Sequence, residues 1–237
     1  MDLKYCAVIP ARGGSKRLLQ KNIKLLAGRP LIEYTIRAAS DSKRISRIIV
    51  TTDDIEIANI SRGFNIDILY PRPSELASDT ASPIDVLKYV VNKIETDKTS
   101  IENVILLQPT SPFRTGRHID AAIDLFSKSD ADTLTSICKV KEHPFWLWKQ
   151  DTDQIIPVFS MNHIRMDRHK LPQYYIENGA IYIVKKSTLF RQGLYGSNVI
   201  PYIMGDAEST DIDDILDLEW AELLISKNFV TFERNHE

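Results

Sequence analysis

The chain has 237 residues, of which 43% are hydrophobic and 26% charged, with a formal net charge of −2. That length and apolar share suffice for a full buried core. The near-neutral charge excludes any global pull toward nucleic acid or a membrane surface, and no apolar run reaches transmembrane length. The start, Met1–Cys6, lacks the long apolar region of a secretory signal. Two cysteines, Cys6 and Cys138, sit in apolar strand-like runs and read as small core residues of a reducing compartment. A cytoplasmic protein is expected, with neither nucleic acid nor membrane among its partners.

In chain order, Cys6–Pro10 is predicted as the first strand. It empties into Ala11-Arg12-Gly13-Gly14-Ser15-Lys16-Arg17, with Lys21-Asn22 shortly after. Paired glycines let backbone N–H groups approach a ligand closely. Arg12, Lys16, Arg17 and Lys21 on one loop point to bound phosphate. The spacing matches neither the P-loop nor the dinucleotide fingerprint. Leu31–Ser40 is predicted as a helix and Arg47–Thr51 as a β-branched strand. Asp53 or Asp54 caps a helix over Ile55–Arg62, which Gly63 ends. Ile66–Tyr70 alternates like a strand. Ser82-Pro83-Ile84-Asp85 combines a capping serine, proline at the first helical position and an acid at the third, so a helix runs from there to about Ile94. Val104–Leu107 is a strand, His118–Ser127 a helix and Thr133–Val140 a strand. This alternation predicts parallel βαβ units with helices on both faces. Ligands of such sheets sit at the carboxyl ends of strands, where Arg12 and Gln108 both fall.

The pattern breaks at about Lys141. Residues 141–175 carry Phe145, Trp146, Trp148, Tyr174, Tyr175 and three prolines without a helical period. So aromatic a stretch either covers the active site or packs on a second subunit. The alternation resumes at Ala180–Val184 and ends in a C-terminal helix to about Lys227. One domain over 1–230 and a frayed tail over 231–237 are expected.

A second constellation is carboxylate. Asp211 and Asp213, two apart in a strand-like setting, share one face and suit a divalent cation held together with substrate phosphates; the alternative is that Asp213 or Asp214 caps the last helix. Asp53, Asp54, Asp79 and Asp85 read mostly as caps or turns. Arg72 reads as a turn arginine and Ser82 as a cap. Gln108 ends a buried strand, where an amide needs partners. Arg165, Arg168 and Lys170, ahead of Leu171-Pro172-Gln173, are either an anion-binding cluster or a solvated face. Tyr182 either lines a pocket or belongs to the strand core. His163 and His169 lack a third ligand for zinc.

Together these pieces resemble the acylneuraminate (nonulosonate) cytidylyltransferases, which make CMP-sialic acids. The resemblance rests on Ile9-Pro-Ala-Arg-Gly-Gly-Ser-Lys16, Lys21-Asn22, Arg72-Pro-Ser-Glu-Leu-Ala-Ser-Asp-Thr-Ala-Ser82, Leu107-Gln-Pro-Thr-Ser-Pro-Phe-Arg114, Leu171-Pro-Gln, Asn178-Gly-Ala-Ile-Tyr182 and Asp211-Ile-Asp213, in order from residue 7 to about 222. The related Kdo enzymes carry tyrosine in place of Gly13 and match less well. The resemblance implies a Rossmann-like three-layer α/β nucleotidyltransferase fold with a largely parallel sheet. It also implies a homodimer in which part of 141–175 reaches into the partner's site. The implied reaction is Mg²⁺-dependent transfer of CMP from CTP to the anomeric hydroxyl of a nonulosonic acid. The alternatives are a CMP-Kdo or CMP-pseudaminic acid synthetase, or a non-catalytic nucleotide-binding relative. The implied catalytic residues are Arg12, Lys21 and Asp211. Nucleotide contacts fall to Ala11, Arg12, Gly13, Gly14, Ser15, Lys16, Lys21, Asn22, Arg72 and Ser82, sugar contacts to Gln108, Arg168, Gln173 and Tyr182, and metal ligation to Asp211 and Asp213. The chain departs from the family at Arg17-Leu18-Leu19-Gln20, where glycine, Ile/Leu, proline and arginine are usual. The positive charge therefore moves from position 20 to 17, which bears on the outer phosphates.

Overall fold

The computed structural model describes residues 2–96 and 99–231. The strands are β1 (Asp2–Pro10), β2 (Leu25–Leu26), β3 (Arg29–Pro30), β4 (Arg47–Thr51), β5 (Asp67–Leu69), β6 (Ser100–Leu106), β7 (Thr133–Lys139), β8 (Trp148–Asp151), β9 (Gln154–Pro157), β10 (Tyr175–Lys185) and β11 (Val199–Ile203). The α-helices are α1 (Leu31–Asp41), α2 (Ile55–Ser61), α3 (Pro83–Ile94), α4 (Gly116–Ser127), α5 (Met161–Ile164), α6 (Lys186–Gln192) and α7 (Ile215–Ser226). The main sheet has seven strands in the order β11-β7-β10-β6-β1-β4-β5. It is parallel except at β10, which runs antiparallel to both β6 and β7. In-register pairs such as Val8↔Ile49 and Val8↔Leu106 align β1, β4 and β6, so their carboxyl ends open on the same edge.

Side-chain alternation along β1 divides the core. Tyr5, Ala7 and Ile9 join α1, α2 and α4 through Ile36, Ile57 and Ile123. Cys6 and Val8 join α3 and α6 through Val90 and Leu189. A strand exposes successive side chains to opposite faces, so one apolar run feeds two cores and the fold is three-layered. A third cluster seats α7: Leu218, Ala221 and Leu224 pack with Leu18, Leu26, Tyr34 and Ile212. Leu18, one of the unusual loop residues, is thus a core contact, while its neighbour Leu19 is exposed.

Several expectations need correction. Residues 211–213 are not a strand; the segment is pinned instead by the Ile212 N–H, which donates to the Thr110 carbonyl at 2.8 Å. Residues 141–175 do contain regular structure: the antiparallel pair β8–β9, with Trp148 opposite Pro157, and the single turn α5. The helix over 55–61 ends with Arg62 as its C-cap, ahead of Gly63, and its N-cap is Asp54. Cys6 is fully buried, but Cys138 is only half-buried. Of the expected tail 231–237, residues 232–237 lie outside the described residues. Among the described residues no helix is long and apolar enough to cross a membrane.

Candidate active site

The loops leaving β1, β5 and β6 surround a cavity of about 650 Å³ at the carboxyl edge of the sheet. This is where open α/β sheets bind ligands. Its walls include Arg12, Lys16, Arg17 and Lys21 from the glycine-bearing loop, Arg72, Gln108, and the carboxylates Asp79, Asp211 and Asp213.

The loop is shaped by its small residues. Gly13 donates its N–H to Asp53 Oδ1 at 3.2 Å, and a Cβ there would collide with the Asp54 carboxylate. Asp54 is itself fixed, accepting from the Glu56 and Ile57 N–H groups as N-cap of α2. Asn22 is buried and donates through Nδ2 to the Arg12 carbonyl at 2.8 Å, bracing the loop across its mouth.

The cations are held in two clasps. Arg12 Nη1 lies 2.7 Å and Lys16 Nζ 2.5 Å from the Asp79 carboxylate. Lys21 Nζ lies 2.9 Å and Arg17 Nη1 3.0 Å from Asp213. The hydrogen bond from Lys16 holds the Asp79 carboxyl below the usual carboxylate range, and that from Lys21 does the same for Asp213. Asp211 goes the other way: burial pushes it up and the neighbouring Asp213 adds to the shift. Asp213 is thus matched by two cations, while burial keeps Asp211 reluctant to ionise.

Arg72 is not a solvated turn residue. It is buried, its Nη2 stands 3.6 Å from Asp53 Oδ1, and its Nε has no hydrogen-bond partner among the described residues. Burial lowers its pKa, a cost that a ligand acceptor would offset.

Gln108 reaches the cavity from the end of β6. The Arg114 guanidinium, 2% exposed, fixes the backbone there: Nη1 donates to the Gln108 carbonyl at 3.2 Å and to the Ala180 carbonyl at 2.7 Å, and Nη2 to Thr35 Oγ1 at 2.5 Å. Gly179 adopts φ +74°, and a Cβ there would stand 2.8 Å from Gln108 Oε1. Asn178 ties β10 to the segment leading to Asp211. Its Nδ2 donates to Ser209 Oγ at 2.8 Å, and its Oδ1 accepts from Ser136 Oγ at 2.6 Å.

The cavity wall gathers Arg12, Ser15, Lys16, Lys21, Asn22, Arg72, Gln108, Asp211 and Asp213 of the expected site. Ala11, Gly13, Gly14 and Ser82 support it without lining it. The Ser82 hydroxyl caps α3, accepting from the Ile84 N–H at 3.2 Å, while Ala81 and Pro83 face the cavity. Asp214, not Asp213, caps α7, which leaves Asp213 to the cations. Three expected sugar contacts stand apart. The Arg168 guanidinium lies over the Trp146 ring at 5.1 Å, the Gln173 amide donates to the Tyr174 carbonyl at 3.0 Å, and Tyr182 is strand core. Burial raises the Tyr182 pKa to about 12, with a further push from Glu177, which also accepts from Tyr195 Oη at 2.7 Å. Asp79 was missed as a site residue because a lone aspartate among Ser78 and Thr80 reads as a turn; its spacing from two cations is purely tertiary. Among the described residues, no group of three or more His, Cys, Asp or Glu side chains is arranged to hold a metal.

Comparison with known proteins agrees with this geometry. The cytidylyltransferase family model matches residues 6–225. N-acylneuraminate cytidylyltransferase of Escherichia coli is 36% identical over 93% of this chain, which spans 52% of that longer relative. CMP-N,N'-diacetyllegionaminic acid synthase of Legionella pneumophila is 32% identical over 95% of this chain and 98% of its own length. Among solved structures, a CMP:2-keto-3-deoxy-manno-octonic acid synthetase complexed with CTP superposes with a TM-score of 0.70 at 20% identity, covering 95% of this chain and 99% of the other, which supports the fold. The match over almost the whole chain and the cation-lined cavity at its carboxyl edge lead to one assignment: the chain belongs to the cytidylyltransferase family.

Proposed function

We propose that the chain transfers CMP from CTP to the anomeric hydroxyl of a nonulosonic acid, releasing pyrophosphate. The observation that carries this reading is the convergence of Arg12, Lys16, Arg17 and Lys21 with Asp211 and Asp213 on one cavity. The relatives named for N-acylneuraminate and diacetyllegionaminate support the acceptor class.

The anomeric oxygen attacks the α-phosphorus and the bond to the bridging oxygen of pyrophosphate breaks. The proton of the hydroxyl passes to solvent water, and pyrophosphate departs with the electron pair of the broken bond. Negative charge grows on the α-phosphate and the leaving group, so catalysis is mainly positioning and cationic stabilisation. Arg12 and Lys16 take the outer phosphates once Asp79 is displaced. Lys21 is the most buried of the four loop cations, its side chain 15% exposed, and serves the α-phosphate. Arg17, from the loop segment unlike the family's, adds a cation beside Asp213. Buried Arg72, with its unpartnered Nε, and the backbone around Ser82 read the cytosine. Gln108 orients the sugar. Asp211 and Asp213 offer the hard carboxylate oxygens that suit Mg²⁺, which when bound would neutralise phosphate oxygens and acidify the attacking hydroxyl.

The proposal includes a cytoplasmic homodimer built as one domain over 1–230. Trp148, Ile155, Ile156, Val158 and Phe159 of the β8–β9 region are exposed together, which favours a partner surface. Arg168 and Gln173 then serve the partner's cavity. Product mass from CTP, Mg²⁺ and a mixture of N-acetylneuraminic, legionaminic, pseudaminic and Kdo acids tests the reading. A CMP adduct of a nonulosonic acid is expected; an adduct of Kdo alone, or none, refutes it.

A further inference from the structure

Arg17-Leu18-Leu19-Gln20 is the stretch where this chain departs from its family's usual residues. Leu18 is buried in one cluster with Leu26, Tyr34 and Leu218, so the backbone is pinned one residue after Arg17. Gln20 then adopts φ +54°, and Lys21–Ile23 forms a single turn of 3-10 helix. This fold-back brings both ends of the stretch to one carboxylate. Lys21 Nζ lies 2.9 Å from Asp213 Oδ1, and Arg17 Nη1 lies 3.0 Å from Asp213 Oδ2. Each oxygen of Asp213 therefore has its own cation.

The two contacts differ in strength. The Lys21 side chain is 15% exposed and that of Arg17 73%. Water and salt screen an exposed pair far more than a sheltered one, so Arg17 is the contact that yields. A divalent cation takes a carboxylate oxygen at about 2.0–2.1 Å, which sets it against any cation already on that oxygen. Leu18 holds the backbone, so Arg17 leaves Asp213 by a side-chain movement and stays on the cavity wall. Asp79 does not receive it, being already paired with Arg12 and Lys16. The phosphates of a bound nucleotide do.

We propose that Arg17 is an exchangeable cation. It occupies Asp213 in the free protein and passes to the outer phosphates of CTP when nucleotide and divalent metal enter. Arg17 thereby weakens metal binding by the free protein and strengthens nucleotide binding, so that metal uptake depends on the nucleotide. The inference rests on the proposed cytidylyl transfer for the identity of the nucleotide.

The test is two binding measurements on the full chain. Mn²⁺ affinity without nucleotide is read from loss of the free-ion electron paramagnetic resonance signal, and CTP affinity with Mg²⁺ is read by calorimetry. Arg17→Met, Arg17→Lys and Lys16→Met are run beside the parent. Arg17 is exposed, so thermal melting should match the parent. Arg17→Met is expected to bind Mn²⁺ about threefold or more tightly, the scale of one exposed ion pair. It should bind CTP about tenfold more weakly, the scale of a lost charge-assisted contact. Arg17→Lys should stay near the parent in both. Lys16→Met, whose ammonium pairs with Asp79, should weaken CTP binding without tightening Mn²⁺. Mn²⁺ affinity that is unchanged, weakened or absent in Arg17→Met, equal tightening in Lys16→Met, or unchanged CTP affinity in Arg17→Met overturns the exchange. None of these outcomes touches cytidylyl transfer, which fails separately if the parent chain turns over no nonulosonic acid.

Discussion

Gly179→Ala couples backbone strain to the site. Gly179 sits at φ +74° in the bulged stretch of β10 between Glu177 and Tyr182, directly across from Gln108. A Cβ at left-handed φ costs roughly 1–2 kcal/mol. For a chain of this size, each kcal/mol moves Tm by about 2–4 °C, so a loss of about 2–8 °C is expected. The same Cβ stands 2.8 Å from Gln108 Oε1, the far end of a flexible side chain, so the amide swings aside. Because Gln108 lines the cavity, KM for the acceptor acid rises while KM for CTP holds. Gly179→Asn separates the effects, since asparagine tolerates positive φ but carries the same Cβ. It should recover most of the Tm and none of the KM. Gly14→Ala, where a Cβ meets nothing within 4 Å, is the thermal control. Thermal melting and steady-state kinetics read both arms. An alanine variant melting within about 1 °C of the parent, with unchanged KM for the acid, would refute the reasoning.

Lys21→Met removes the cation nearest Asp213 and should lower kcat by roughly 10²–10³, the loss typical of one preorganised charge-stabilising donor; single-turnover rates at saturating CTP check it. Asp79→Asn frees Arg12 and Lys16 from an internal anion, so calorimetry should show tighter CTP binding, and weaker binding would mean that Asp79 contacts the nucleotide instead. Burial pushes the Cys6 thiol up to about 12, against about 8.5 for a free thiol. A folded pKa raised above the unfolded one contributes stability that is full below about pH 8.5 and lost as pH climbs toward about 12. Cys6→Ala should therefore flatten the alkaline fall of Tm. At pH 8 a thiol reagent should modify half-buried Cys138 and spare Cys6.

Local signals carried much of the fold. Ser82-Pro83-Ile84-Asp85 announces α3 because cap, proline and acid each satisfy a helix-start requirement within four residues. Arg47–Thr51 is a strand from end to end, as its β-branched run predicts. What depends on pairing was not legible. The antiparallel run of β10 is decided by its neighbours β6 and β7. β11 contains Pro201, which argues against a strand until its place at the sheet edge is known. The seven-residue α6 is too short for a periodic signal. At the site, the loop cations and both aspartates were legible from residue type and spacing. The burial of Arg72, the clasp on Asp79 and the anchoring of Gln108 by Arg114 were not, since each depends on residues brought together only by the fold.

The central claim is that the cationic cavity delivers CMP from CTP to a sugar acid. Its most direct test is continuous measurement of pyrophosphate release with Mg²⁺, comparing CTP with ATP and UTP, each with and without a nonulosonic acid. The account predicts release that requires both CTP and the acid, with CMP-sugar formed in equal amount. Release without the acid, equal rates with ATP, or tight CTP binding with no release for any acid would contradict it.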